Sequence, residues 1–399
     1  MNSGFPAALD SQILDYARAI APELSSQSSR HDRPGKLSDE AIEALKSGNL
    51  FGLIVPRDLG GHEAGPREAL LVYEEITRAD AATGWVLTTC GFAGGIAGAY
   101  LDDDAVQSIF GAGMPIIAGS GAPTGRAVPA DSGYHLSGQW NYGSGILHAT
   151  HLHTGAVILE DGKPRKNRRG NVEVYIFAPP AKVAIIKQNW DVLGLRGTAS
   201  VDYDIENTYL PAGYAFPVDQ RVPKRGGNIY RIGMGALSAL IHSGFALGMG
   251  RRALDELAIL VQNNTGRLAR LRDSESFLEG FGRAEAQYRS ARALVFETWA
   301  EIERKIVDGR DITTRDISLS HVSLNHMMWT SAAVTDFAYN AAGGMSLRDG
   351  ALQRCFRDIH AATQHARVSS GYLREAGREF LDVVPNPVWE RMQVVPKLD

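Results

Sequence analysis

The sequence predicts an α+β protein in which helices and strands occupy separate regions of the chain. Apolar residues at helical spacing dominate residues 1–113. β-branched and aromatic residues between Gly, Asp, Asn and Pro dominate residues 114–217, and long helical patterns return in residues 218–399. Because helices and strands do not alternate, a fold of βαβ units is disfavoured. We therefore expect three domains with these bounds: an N-terminal helical domain, a central β domain and a C-terminal four-helix bundle.

The first region carries clear helix signals. Ser38 precedes Asp39 and Glu40, the pattern of a hydroxyl N-cap followed by acidic residues in the first turn. Residues 66–78 carry apolar side chains at helical spacing. Residues 80–100 are almost wholly apolar, so we expect this helix to be buried on all sides.

The middle region predicts short strands at residues 172–178, 183–186 and 201–205. Residues 134–136 lie between two Ser-Gly pairs, a pattern typical of a hairpin. The Gly-rich residues 119–125 open this β region rather than a helix. They therefore form neither a dinucleotide fingerprint nor a phosphate-binding P-loop.

The last region predicts four long helices at residues 229–264, 274–308, 313–342 and 352–383. Gly343 and Gly344 end the third helix, and Pro385 follows the fourth. Helices of this length joined by short loops pack as an antiparallel bundle.

Composition excludes several classes of protein. The chain is 44% hydrophobic and 22% charged, with a net charge of −4, so a nucleic-acid-binding surface is not expected. The two cysteines, Cys90 and Cys355, cannot form a disulfide framework. The N-terminus has no signal-peptide pattern, and the longest apolar stretch, residues 91–101, is too short to span a membrane. We expect a cytoplasmic protein without a membrane segment.

Three segments in the right order resemble the acyl-CoA dehydrogenase superfamily. Residues 55–61 read Val-Pro-Arg-Asp-Leu-Gly-Gly, and residues 193–200 read Leu-Gly-Leu-Arg-Gly-Thr-Ala-Ser. Residues 342–344 read Ala-Gly-Gly, and Arg357-Asp358 follow them. The resemblance implies a helical domain, a central β-barrel and a four-helix bundle, assembled as a homotetramer.

Within that superfamily the sequence resembles the two-component flavin-dependent aromatic monooxygenases. The resemblance lies in residues 83–85, 140–149 and 355–366. It implies that Gly119, Ser120 and Gly121 lie along the flavin ring, with Ser144 beside it. It also places His365 next to the substrate.

The same resemblance implies the cofactors and partners. Reduced flavin, FMNH2 or FADH2, would come from a separate NAD(P)H:flavin reductase and react with O2 to a C4a-hydroperoxide that hydroxylates an aromatic compound. The other residues expected at the flavin are Asn141, Arg196, Thr198, Arg267, Gly343, Gly344 and Ser346. Ser346 and Arg348, just past the two glycines, are expected to reach the flavin of a neighbouring subunit.

Two residues are candidates for the chemistry. A hydroxyl such as that of Ser144 can accept the flavin N5–H hydrogen bond and so slow the loss of that proton. A neutral imidazole such as that of His365 can accept the proton of a phenol or an indole N–H. Trp85 and Ala93 are expected on the substrate side of the pocket.

An FAD-dependent acyl-CoA dehydrogenase is the main alternative. Proton abstraction next to a thioester needs a carboxylate, which many family members place shortly after the Arg-Asp pair. Residues 363–369 here contain no acid and hold His365 instead. A flavin-free scaffold of the same fold is a third alternative, disfavoured by the flavin-facing residues.

The substrate is predicted from one position at which this sequence departs from the pattern of the aromatic monooxygenases. Phenol hydroxylases of the group carry a histidine about eight residues after the Trp85 position, where this chain has Ala93. We therefore expect a less acidic or bulkier aromatic substrate, an indole-type compound first and a polycyclic phenol second.

The other histidines leave questions open. His360 precedes His365 by five residues, so on one continuous helix the two would face different directions. His148, His151 and His153 are close in sequence, but no neighbouring carboxylate or cysteine completes a metal site. We expect no metal.

Overall fold

The computed structural model describes residues 11–167, 170–266 and 268–383. The N-terminal region is helical, as predicted. Its helices are α1 (Gln12–Asp32), α2 (Asp39–Ser47), α3 (Pro66–Ala79), α4 (Ala81–Tyr100) and α5 (Asp103–Phe110). Ser38 caps α2 by accepting from the backbone N–H of Ala41, and Asp80 caps α4 by accepting from that of Thr83. Every residue of α4 except Thr89 is buried.

The central region forms one mixed sheet of eight strands. They are β1 (Ile117–Ala130), β2 (Gly133–Trp140), β3 (His151–Glu160), β4 (Lys163–Pro164), β5 (Val174–Phe177), β6 (Ala184–Ile186), β7 (Tyr203–Pro211) and β8 (Ala215–Pro217). The pairing order is β6-β7-β2-β1-β3-β5-β8, with β4 on β3. β1 and β3 are parallel, whereas the other pairs are antiparallel.

The two ends of this sheet, β6 and β8, do not pair with each other in the part of the chain that the structure describes. The mixed sheet is therefore established, whereas the expected closed barrel is not confirmed. The β1–β2 hairpin turns at residues 131–132, with Ala130 opposite Gly133.

The C-terminal region is helical. Its helices are α6 (Gly233–Asn263), α7 (Glu275–Val307), α8 (Thr314–Ala342), α9 (Ala351–Ala362) and α10 (Ser370–Phe380). α8 packs against each of the other four. Thr313 and Asp316 form a reciprocal capping box at the start of α8.

One helix prediction was wrong. Residues 352–383 were expected to form one helix, but α9 ends at Ala362 and α10 begins at Ser370. After α9 the backbone bonds tighten to a three-residue spacing, from Gln364 N–H to Ala361 O and from His365 N–H to Ala362 O. Residues 363–369 thus form an irregular loop that carries His365, and a bundle of four continuous helices is not confirmed.

The segment Asn228–Asn263, which contains α6, is long and apolar enough to cross a membrane by length and composition alone. All of its most apolar window is buried inside the protein. A buried core helix passes the same test, so this finding is weak evidence for a membrane segment.

Candidate active site

Trp85 on α4 connects the sheet region to the C-terminal helices. Its indole Nε1–H donates to Ser144 Oγ at 3.1 Å. Its ring meets His242 of α6 edge-on, with ring centroids 5.5 Å apart, and His365 of the α9–α10 loop in the same way at 5.4 Å. Trp85, Ser144, His242 and His365, called the Trp85 cluster below, are the centre of the candidate site.

Ser144 lies at the end of a chain of buried hydroxyl groups. Ser144 Oγ is 2.6 Å from Ser200 Oγ, which is 2.6 Å from Thr198 Oγ1. Thr198 donates its only hydroxyl proton to Leu195 O at 2.7 Å, so Ser200 must donate to Thr198 and Ser144 to Ser200. Ser144 Oγ therefore acts as an acceptor toward Trp85, and one of its two lone pairs remains for a second donor.

His242 and His365 stack face to face, with ring centroids 4.4 Å apart and an interplanar angle of 20°. His242 Nδ1–H donates to Ser238 O at 2.7 Å, which leaves Nε2 as its acceptor nitrogen. That Nε2 is buried and has no protein partner. The backbone N–H of Arg367 donates to His365 Nδ1 at 3.4 Å.

Both imidazoles are neutral at pH 7. Burial lowers the pKa of His242 to about 4, although its hydrogen bond to Ser238 opposes this shift. Burial, His242 and Arg367 together lower the pKa of His365 well below its usual value. Each neutral ring has one donor nitrogen and one acceptor nitrogen, which suits the pair to hold an N–H or O–H group.

Gly119, Ser120 and Gly121 lie on β1, which packs against α4, the helix that carries Trp85. The backbone N–H of Ser120 donates to Tyr203 OH at 3.1 Å. A Cβ on Gly121 would lie only 2.7 Å from His153 Nε2, so glycine permits β1 to approach that ring. The β1–β3 register shifts between Ser120 and Gly125, so the strand bends at this point.

On the α4 side, Ala93 is buried and offers no polar group. Its neighbour Phe92 meets His153 of β3 edge-on at 5.8 Å. Burial lowers the pKa of His153 to about 4, and Arg367 adds to this effect.

Other predicted flavin residues lie apart from the Trp85 cluster within this chain. Arg196 donates to Asp32 O and Val192 O, so its contacts are with the end of α1 and with its own loop. Ser346 is buried and bonds to Tyr339 O and Gly343 O, next to Gly344, within the segment that ends α8. Asn141 is exposed in the loop after β2, and Arg267 lies outside the described residues.

His360 takes no part in the cluster. Its Nε2 lies 2.8 Å from Asp336 Oδ1, and its ring contacts Phe356 at 4.6 Å. Within the described ranges there is also no group of three His, Cys, Asp or Glu side chains arranged to hold a metal ion.

Sequence reasoning missed three residues of the site. Ser200 was part of a family motif but had no assigned partner, because Ser144 is 56 positions away. His153 was considered only with His148 and His151. His242 carried a usable signal, since it is a titratable residue within a long apolar helix.

Two family models match the chain. Residues 10–99 match the N-terminal domain of acyl-CoA dehydrogenase, and residues 240–370 match its C-terminal domain. Together these segments cover more than half of the sequence. The chain belongs to the acyl-CoA dehydrogenase family.

The similar curated proteins are hydroxylases. A pigment production hydroxylase of Rhodococcus erythropolis is 26% identical over 383 residues, covering 89% of this chain and 92% of that one. An indole-3-acetate monooxygenase of Pseudomonas putida is 27% identical over 365 residues, covering 89% of this chain and 90% of that one.

Solved structures agree on the fold. The 3-HSA hydroxylase from Rhodococcus sp. RHA1 superposes with a TM-score of 0.87 at 22% identity, covering 96% of this chain and 99% of that one. XiaF from Streptomyces sp., in complex with FADH2 and glycerol, gives 0.85 at 21% identity, covering 97% of each chain. The curated relatives confirm the prediction of a flavin-dependent monooxygenase over the acyl-CoA dehydrogenase alternative, and the solved structures confirm the fold.

Proposed function

We propose that the chain is the oxygenase component of a two-component monooxygenase. It uses reduced flavin and O2 to hydroxylate an aromatic substrate, an indole-type compound first and a phenol second. The observation that carries this proposal is the Trp85 cluster, where two neutral imidazoles meet the end of the Ser144 hydroxyl chain. In the described part of the chain no carboxylate bonds to this cluster, as a dehydrogenase base would require.

The residues present fit a reduced flavin. Bound flavin, FMNH2 or FADH2, would supply the activation of O2. Ser144 Oγ has the free lone pair that an N–H donor needs. Gly119 and Gly121 let β1 approach His153 and Tyr203 closely, and we propose that this part of β1 lies along the flavin. We propose Asn141, Arg196, Thr198 and Arg267 as further flavin residues of this subunit.

The His242–His365 pair is proposed to handle the substrate proton. His365 was expected to act alone. The hydrogen bond from Arg367 N–H to His365 Nδ1 places the proton of neutral His365 on Nε2. The free acceptor of the pair is then His242 Nε2, so the two rings offer one donor and one acceptor to a substrate N–H or O–H.

Several features of architecture and assembly are proposed together with this function. The domain bounds 1–113, 114–217 and 218–399, a barrel-like sheet and a four-helix bundle that includes α9 follow the family pattern. Relatives named as an oxygenase subunit or component support a separate NAD(P)H:flavin reductase as partner. We propose a soluble, cytoplasmic homotetramer in which Gly343, Gly344 and Ser346 serve a neighbouring flavin.

The function is tested by supplying reduced flavin from an NAD(P)H:flavin reductase and measuring O2 uptake, H2O2 and hydroxylated product with indole and with phenol. We expect product only when enzyme, reduced flavin and O2 are all present. A dehydrogenase would instead bleach tightly bound FAD when mixed anaerobically with an acyl-CoA, and that result would overturn the proposal.

The Ser144→Ala variant adds a test of the hydroxyl chain. Removing one hydrogen-bond acceptor at the flavin should raise the share of O2 released as H2O2 by roughly tenfold, the effect of about 1.4 kcal/mol. Ser243→Ala is the control, because Ser243 is equally buried but bonds only within α6, to Ala239 O. Equal H2O2 release from both variants would show that Ser144 does not contact the flavin.

A further inference from the structure

Arg367 carries a positive charge into the wall of the candidate site. It lies two residues after His365 in the α9–α10 loop. Its backbone is fixed on both sides, because its N–H donates to His365 Nδ1 and its carbonyl accepts from Asn325 Nδ2 at 3.2 Å. Its guanidinium donates from Nη1 to Tyr372 OH at 3.0 Å. The side chain is only partly exposed.

No carboxylate in the described ranges forms an ion pair with this guanidinium. The titratable groups around it do not compensate its charge either. Burial, with a contribution from Arg367, lowers the pKa of His153 and His242 to about 4 and that of His321 to about 3. His365 is neutral as well. Within the described ranges, therefore, no ion pair balances the positive charge of Arg367. A partly buried, unpaired charge is costly unless a partner of opposite sign is bound.

Two side chains next to Arg367, those of His321 and Tyr372, each have a proton that no described protein group accepts. The ring of His321 stacks on Tyr372 with centroids 4.4 Å apart, and both of its ring nitrogens are buried without a partner. Tyr372 OH accepts from Arg367, so its own proton is available. Guanidinium, phenol and imidazole N–H donors together make a set that favours an anion with two or three oxygens.

We propose that Arg367, with Tyr372 and His321, binds an anionic substituent of the aromatic substrate, a carboxylate or a sulfonate. This inference rests on the proposed function, since it places the substrate beside His365. It narrows the substrate class from aromatic compounds in general to aromatic acids. The ring would lie toward the Trp85 cluster, and the acidic group would lie toward α8 and α10.

Paired ligands that differ only in charge test the subsite. Indole-3-acetate and its neutral isostere indole-3-acetamide are titrated calorimetrically into the full-length chain, without flavin or O2. The phenolic pair 4-hydroxyphenylacetate and 4-hydroxyphenylacetamide is titrated in the same way. We expect at least one acid to bind about tenfold or more tightly than its amide, the ordinary strength of one charge-assisted bond.

Variants identify the residue. Arg367→Met should abolish the preference for the acid, whereas Arg367→Lys should keep part of it. Arg374→Met is the matched control, since Arg374 is an exposed arginine on α10, and it should keep the full preference. If Arg367→Met does not fold, as judged by circular dichroism, loss of the acid preference in Arg367→Gln and in wild type at high salt gives the same decision.

Equal binding of acids and amides by the wild type would overturn the proposal, as would an unchanged preference in Arg367→Met. In that case Arg367 is a structural side chain that packs on Tyr372, where its guanidinium carbon lies 5.9 Å from the ring centroid. Failure of the proposed function looks different, because an acid could then bind through Arg367 without being hydroxylated. Conversely, if neutral substrates are hydroxylated as efficiently as acids, the proposed function is supported and the proposed anion subsite is contradicted.

Discussion

At the scale of single residues, burial determines what the histidines of the site can do. His242 and His365 stack against each other and against Trp85; His242 is buried and His365 is partly buried. A charged imidazole is therefore disfavoured, and the lowered pKa values keep both rings neutral over the physiological range. A ring that accepts the hydrogen bond of a phenol or an indole N–H must be neutral at the start, and burial keeps the pair in that state.

This argument predicts an unusual pH dependence. A base with the ordinary histidine pKa loses half its activity near pH 6.5, but a base with a pKa of about 4 stays neutral and active well below that. We expect the ratio of product to O2 consumed to stay flat between about pH 5.5 and 8 and to fall only as pH approaches 4. The measurement is product and H2O2 at each pH with reduced flavin supplied chemically.

Substitutions of His242 and His365 test whether these two rings cause the expected pH dependence. His365→Ala and His242→Leu should each lower the hydroxylated product by about tenfold or more while flavin oxidation continues. His360→Ala is the control, because His360 pairs with Asp336 outside the Trp85 cluster. A product yield that is unchanged in both His365→Ala and His242→Leu would show that neither ring handles the substrate proton.

At the scale of elements, two family motifs about 160 positions apart meet directly. Asp358 of α9 accepts from the backbone N–H of Leu195 at 2.6 Å, and Arg357 donates to Leu193 O at 3.0 Å. A Cβ on Gly194 would lie 2.0 Å from Arg357 O, which explains the glycine in this loop. The loop continues into Thr198 and Ser200, so α9 positions the hydroxyl chain that ends at Ser144.

The buried Asp358 carboxyl in this contact predicts that the stability of the protein depends on pH. Burial raises the pKa of Asp358 to about 7, against the opposing effect of the Leu195 hydrogen bond. The folded protein then binds this proton more tightly than the unfolded chain, so the free energy of unfolding falls as pH rises from about 4 to 7. Asp358→Asn keeps an acceptor for Leu195 N–H but removes the charge. Relative to wild type it should gain roughly 3 kcal/mol between pH 5 and 8, at about 1.4 kcal/mol per pH unit.

Chemical denaturation at several pH values measures this difference. Asp358→Leu, which leaves Leu195 N–H without an acceptor, should be about 1–3 kcal/mol less stable than Asp358→Asn at all of them, because neither variant carries the charge. The exposed turn residue Asp161, changed to Asn, should alter stability by less than about 0.5 kcal/mol. Parallel pH curves for Asp358→Asn and wild type would contradict the argument.

The elements also show what sequence could and could not predict. The cap at Ser38 and the buried helix α4 rest on local patterns, so the sequence predicted them well. The loop at residues 363–369 has no Gly or Pro to announce it. It is stabilised by distant contacts, such as the Asn325 side chain on Arg367 O and the burial of Val368. Such tertiary contacts override helix propensity, and they also brought His242 to His365.

At the scale of the whole molecule, the segment after α8 presents apolar side chains to solvent. Leu347 is 70% exposed and Met345 is 46% exposed, next to Gly343 and Gly344 and beside Ser346 and Arg348, which were predicted to reach a neighbouring subunit. Exposed apolar side chains beside a buried polar turn are typical of a surface that is covered in an assembly. They therefore support the proposed tetramer, in which this segment would face a neighbouring flavin.

The last prediction concerns this surface. Leu347→Asp places a charge where an apolar contact is expected, so it should reduce the molar mass measured by light scattering from four chains to one or two. It should also weaken the binding of reduced flavin by about tenfold, because the neighbouring segment would no longer complete the site. Val307→Asp is the matched control, since Val307 is 78% exposed at the end of α7, remote in sequence from this segment, and should change neither property. A wild-type chain that is monomeric in solution and still binds reduced flavin would show that Gly343, Gly344 and Ser346 have no cross-subunit role, and the flavin site would then have to be complete within one chain.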